Sequence, residues 1–202
     1  SHAIRALEEL DKHRCRFEVW VDHAQAATNF GFDIMRGHGD DPGHEAYHAD
    51  LTLKHGVRFV WRGRVTSVIG QGRRFSLRGI VNPDRISASS NTLFKEGAKQ
   101  FLARLGNRKY GCHKNNIAVR PIRLRDGQQT IEFIRCNPHW SGVSRYDTGW
   151  GIADVLTPRF LDYLAARKGT CVLYTHLGKL RPPGANRFSD ETVSAFRVLA
   201  KY

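Results

Sequence analysis

The sequence predicts an α/β fold, a single domain built on a parallel sheet or barrel, and three observations carry that expectation. Short runs of apolar and β-branched residues alternate along the chain with stretches whose apolar residues recur at helical spacing. Capping residues and terminal glycines punctuate the helical stretches. The 202 residues, 41% hydrophobic and 25% charged, are enough for one sizeable core and short for two.

Residues 4–12 read as a short helix. Phe17-Glu18-Val19-Trp20-Val21 reads as a strand that stops at Asp22-His23. A loop of small and polar residues follows, through Asn29 to Gly39. Asp41-Pro42 supplies a capping carboxylate and a first-turn proline, so a helix is expected to about Lys54, closing at Gly56. Val57–Trp61 is the next strand. Residues 62–74 read as a hairpin or insertion and Phe75–Val81 as a strand. Leu93, Ala98, Phe101, Leu102 and Leu105 form one face of a helix stopped by Gly106, and 106–116 is a loop. Ile117–Leu124 and Thr130–Arg135 are strands around Asp126-Gly127, a hairpin signal. Thr157-Pro158 starts a helix that ends at Gly169, and Thr170–Thr175 is a strand. Ser189 caps a last helix with Val193, Phe196 and Leu199 on one face. Helices alternating with strands argue for parallel βαβ units. A closed barrel needs one more strand after that helix, so the last strand is expected to be missing from residues 1–202.

The formal net charge of +13 favours acidic partners: anionic glycans, nucleic acid or an anionic membrane surface. The basic residues are dispersed, and no helix-turn-helix, RNA-binding aromatic signature or zinc finger accompanies them. No apolar run approaches the roughly 20 residues that span a bilayer, so no transmembrane segment is expected. Ser1-His2-Ala3-Ile4-Arg5 lacks a basic-then-apolar leader, which fits a cytoplasmic protein or a chain whose upstream segment is absent. Cys15, Cys112, Cys136 and Cys171 contain no Cys-x-x-Cys pair, against a zinc ribbon. Cys136 and Cys171 end or open apolar runs and read as core, and a Cys112–Cys136 disulfide is left open.

In α/β sheets and barrels, active sites form outside the carboxyl ends of the strands. Three expected strand ends carry histidine: Asp22-His23, Asn137-Pro138-His139-Trp140 and His176. His44 and His48 lie four apart, on one face of the expected helix, a spacing that lets two imidazoles hold one metal ion. His44-Glu45-Ala46-Tyr47-His48 also matches the His-Glu-x-x-His string of zinc proteases. Here the string opens the helix, and Leu51 and Lys54 stand where the longer motif has glycine and histidine.

In order, these segments resemble the polysaccharide deacetylase family (carbohydrate esterase family four). The matching stretches are Phe17–His23 for a strand ending in paired acids, His44–His48 for a histidine pair, and Thr157-Pro158 through His176 for a helix followed by a strand ending in histidine. His23 replaces the second acid and Glu45 the serine or threonine after the first metal histidine. Arg120-Pro121 and Pro138-His139-Trp140 are imperfect counterparts of the Arg-x-Pro segment. The resemblance implies a parallel sheet or distorted (β/α) barrel and a metal-dependent hydrolase that removes N-acetyl or related acyl groups from a glycan. It implies a divalent ion, zinc before cobalt, nickel or iron, held by His44 and His48 with His23 or Asp22. Asp22 would take the proton of the attacking water and His176 would give one to the leaving amine. Asn137, His139 and Trp140 would meet the substrate, an acetylated or anionic glycan. The alternatives are a catalytically degenerate glycan- or nucleic-acid-binding domain and a zinc metalloprotease.

Overall fold

The computed structural model describes residues 2–80, 86–137, 149–177, 184 and 188–202. Their elements run α1 (His2–Lys12), β1 (Val19–Val21), α2 (Ala49–His55), β2 (Phe59–Trp61), β3 (Val65–Thr66), α3 (Ile86–Arg104), β4 (Val119–Arg123), β5 (Gln129–Phe133), β6 (Arg135–Cys136), α4 (Gly149–Val155), α5 (Pro158–Arg167) and α6 (Asp190–Leu199). Short 3-10 helices cover Leu77–Gly79 and Arg108–His113. The chain divides into two compact units, residues 1–64 with 119–134, and residues 65–118 with 135–202. The mixed α/β class and the mostly parallel sheet expected from the sequence are present. Among the described residues no helix is long and apolar enough to cross a membrane.

The first unit is built on a four-stranded sheet in the order β1-β2-β5-β4. β1, β2 and β5 are parallel, and β4 returns antiparallel to β5. The β4–β5 hairpin forms because its turn chemistry is local. Gly127 takes φ +89°, and Asp126 Oδ1 accepts the Gln128 amide at 2.9 Å. Pro121 lacks an amide donor and stands in the edge strand, where a missing ladder bond costs least. Phe30, Ala49, Val57, Val60 and Leu124 are buried together, with Phe17, Trp20, Tyr47, Leu53 and Ile122 packed on them.

In the second unit β3 and β6 form a two-stranded parallel pair. Ile69, Ile152, Val155, Leu156, Phe160, Leu161 and Ala195 make its apolar cluster. The caps read from the sequence are present. Thr157 Oγ1 accepts the Phe160 amide at 3.3 Å, and Ser189 Oγ the Thr192 amide at 3.2 Å.

Several local expectations differ from the structure. The helix expected from Asp41 begins only at Ala49. The intervening residues form turns, because the Asp40 carboxylate is bound by the Arg125 side chain and the Gly39 carbonyl accepts the amides of His48 and Ala49. Within the strand expected over Phe75–Val81, whose last residue lies outside the described ones, Leu77–Gly79 forms a 3-10 turn. Thr170–Thr175 forms no ladder among the described residues beyond a bridge between Thr170 and Gln71. In α3 the expected apolar face is not the buried one. Phe101 and Leu105 are exposed while Ser89, Thr92, Glu96 and Ala103 are buried, because Glu96 turns inward to Thr66, Lys99 and His113. α5 stops one residue before Lys168, which takes the left-handed C-cap. Gly169 serves contact instead: a Cβ there would lie 2.6 Å from the Gly70 Cα.

Candidate active site

Parallel strands bring their carboxyl ends to one edge of a sheet, and β1, β2 and β5 do so in the first unit. Asp22 follows β1, Arg62 and Arg64 follow β2, and Glu132 is the penultimate residue of β5. All four side chains are buried.

Asp22 is held almost wholly by neutral dipoles. Its Oδ1 accepts the Trp20 indole N–H and the Phe30 amide, both at 2.9 Å, and its Oδ2 accepts the Gly31 amide at 2.8 Å. Gly31 is required for that approach, because a Cβ there would collide with the Met35 carbonyl and lie 3.1 Å from Asp22 Oδ2. Burial pushes the Asp22 carboxyl up to about 6, against the lowering pull of these hydrogen bonds and of the Arg62 charge. A carboxyl tuned into that range is suited to take and return a proton near neutral pH.

Glu132 is held by full charges. Arg62 Nε and Arg64 Nη1 each donate to Oε1 at 2.9 Å, while Arg120 donates to Oε2 through Nε at 2.8 Å and Nη2 at 2.7 Å. Arg64 Nη2 also bonds Asp33 Oδ2 at 2.7 Å. Phe32, 57% exposed, presents its ring 5.8 Å from the Arg62 guanidinium carbon.

His48 packs on the Trp20 ring at 4.7 Å and the Phe30 ring at 5.0 Å, beside Asp22's donors. Both of its ring nitrogens are occupied: Nε2 meets the Thr28 carbonyl at 2.9 Å and Nδ1 the Thr52 hydroxyl at 2.7 Å. A carbonyl can only accept, so Nε2 carries the proton, and Nδ1 spends its lone pair on the hydroxyl. His44 is not helical. It stacks on His38 with ring centroids 4.1 Å apart, and its Nδ1 accepts the Ala46 amide at 3.1 Å. His23 is exposed. In this arrangement His48 offers no lone pair to a cation, so the implied zinc ligands do not fit the ion. Among the described residues no group of three or more histidine, cysteine or carboxylate side chains could hold a metal.

In the second unit His176 Nε2 is 2.7 Å from the Tyr174 hydroxyl, and the Arg135 guanidinium lies 4.5 Å from the Tyr174 ring centroid. Asn137 follows β6, and its amide bonds the Thr66 carbonyl at 2.7 Å. His139 and Trp140 lie outside the described residues.

The sequence reading reached Asp22, and Arg120 only as an imperfect counterpart of the Arg-x-Pro segment, but not Arg62, Arg64, Asp33 or Glu132. The available signals were Arg62-Gly63-Arg64 directly after a strand and a lone glutamate inside the apolar run Ile131–Ile134. Comparison with the models of known protein families, with curated proteins and with solved structures finds no match.

Proposed function

We propose that the protein is a hydrolase that removes N-acetyl or related acyl groups from a glycan, with Asp22 as the proton acceptor for the attacking water. The observation that carries this reading is the Asp22 carboxyl, buried at a strand's carboxyl end and raised to about 6. In that range it is ionised at neutral pH yet basic enough to draw a proton from water. Oδ2 accepts a single N–H and keeps a lone pair for that proton. The Arg62 charge favours the ionised form before the transfer. The exposed Phe32 ring, with the Arg62 guanidinium against it, offers a stacking face to a sugar. The net charge of +13 suits an anionic or acetylated glycan.

Acetate release from N- and O-acetylated oligosaccharides tests the reading, with wild type and Asp22→Asn compared at matched circular dichroism. The expected result is a kcat/KM profile whose acid limb lies near 6, and a loss of about 10²–10⁴-fold in the variant. No acetate from any glycan tested, or a variant as fast as wild type, overturns it.

A second reading, the same surface holding a glycan without turnover, is favoured by one observation: Asp22 is 0% exposed. Saturable glycan binding that is lost in Phe32→Ala, with no acetate released, selects it.

A further inference from the structure

The second unit brings together two cysteines that the proposed hydrolysis does not use. Cys136 ends β6, and Cys171 lies on the extended segment after α5. The Cys136 amide donates to the Val172 carbonyl at 2.8 Å, so the two backbones run side by side at the cysteines. Both sulfurs reach the same stretch of chain. Cys136 Sγ donates to the Val68 carbonyl at 3.3 Å, and Cys171 Sγ accepts the Gly70 amide at 3.2 Å. The ionisation of each thiol is felt by the other. Both are reduced, as are Cys15 and Cys112. The disulfide left open by the sequence, Cys112–Cys136, is not formed, and the neighbour of Cys136 is Cys171.

The two thiols differ in the way a reactive pair requires. Cys136 is 2% exposed and burial pushes its thiol up. Cys171 is only half-buried. Its thiol is drawn down by the hydrogen bond from Cys136 and by the amides of Gly70 and Gln71, all of which favour the thiolate. A thiol drawn towards the thiolate, on a residue that is only partly buried and beside a second thiol, resembles the arrangement of peroxide-reactive cysteines.

We propose that Cys171 and Cys136 form a dithiol site that reacts with hydroperoxides, Cys171 as the attacking sulfur and Cys136 as the resolving one. The Cys171 thiolate attacks the distal peroxide oxygen and the O–O bond breaks. The product is a sulfenic acid, and the leaving oxygen departs as water or alcohol after taking a proton. The Cys136 sulfur then attacks the sulfenic sulfur and its hydroxyl leaves as water, aided by the Cys136 proton. Two thiols are oxidised to one disulfide while one peroxide is reduced by the same two electrons. The new bond ties β6 to the segment carrying Tyr174 and His176.

Titration of the full, reduced chain with hydrogen peroxide, followed by alkylation, digestion and mass spectrometry, tests this. The expected product is a linked Cys136–Cys171 peptide pair that dithiothreitol reverses, while buried Cys112 stays alkylatable only after denaturation. In Cys136→Ser, a sulfenic acid at Cys171 is trapped by dimedone. In Cys171→Ser, Cys136 stays reduced. The wild-type measurement needs no variant to fold. A wild-type chain in which peroxide leaves Cys171 reduced, or in which Cys171 oxidises without linking to Cys136, overturns the proposal.

Discussion

Two buried carboxylates, one in each unit, are opposites in their surroundings. Asp22 is 0% exposed and Glu96 1%, so both lose hydration almost completely. Asp22 meets an indole N–H and two backbone amides, and burial wins, pushing its carboxyl up to about 6. Burial pushes Glu96 up as well, but the His113 hydrogen bond and the Lys99 ammonium at 2.7 Å more than offset it and hold the carboxyl at about 2. Neutral dipoles leave a buried acid able to change protonation near neutrality, whereas adjacent cations lock it as an anion. The first arrangement suits proton transfer. The second suits structure, since Glu96 also accepts the Thr66 hydroxyl at 2.8 Å and the Ser67 amide at 3.2 Å and so anchors β3 to α3.

The largest effect expected from this contrast is on activity. Asp22→Asn removes the proton acceptor and lowers deacylation by about 10²–10⁴-fold, whereas Glu96→Gln leaves the acid limb of the rate profile where it was. A rate profile that follows Glu96 instead would break the contrast. Next is stability. Glu96→Ala strands His113 and the Thr66 and Ser67 donors in the interior and is expected to cost about 3 kcal/mol in urea unfolding at pH 7.

The pH dependence of stability sharpens the same contrast, because the two groups act with opposite sign. Glu96 is lowered from 4.5 to about 2, so its contribution is present above 4.5 and is lost as pH falls towards 2. Asp22 is raised from 3.8 to about 6, so the folded state holds its proton more tightly, and stability falls as pH rises from 3.8 through 6. Each difference converts to about 3 kcal/mol. Urea unfolding from pH 3 to 7 should show the acid loss shrinking in Glu96→Gln and the loss between 4 and 6 shrinking in Asp22→Asn. The smallest effect belongs to Gly31→Ala. The added Cβ displaces one amide from Asp22 Oδ2, removing a lowering influence, so the acid limb of the rate profile should move above 6 while folding costs about 1–3 kcal/mol.

How much of this was legible in the sequence depended on how local each interaction is. The Asp126-Gly127 hairpin and the Thr157 and Ser189 caps were readable because donor and acceptor lie within a few residues. The start of α2 was not, because Asp40 is drawn to Arg125, 85 residues away, and that pair replaces the helix start that Asp41-Pro42 signals. Strand alternation around Glu132 points Ile131 and Phe133 to the core, yet it is Glu132 that is fully buried, since Arg62 and Arg64 after the neighbouring β2 and Arg120 opposite it on β4 neutralise it. Of the site residues, Asp22 was readable as a polar residue at a strand end. Its donors were not, for Phe30 and Gly31 return to it through a loop with no pattern of its own.

The sequence by itself determined the mixed α/β class, the mostly parallel pairing and the turns and caps, because these follow from side-chain periodicity and from hydrogen bonds closed between near neighbours. Only the tertiary structure decided what the polar residues do. It spent both nitrogens of His48 on Thr28 and Thr52, gathered guanidinium groups on Glu132, and left Asp22 among neutral donors. The reason is electrostatic: the charge state of a buried group is set by whichever partners the fold carries to it, and neither side-chain periodicity nor turn chemistry names those partners.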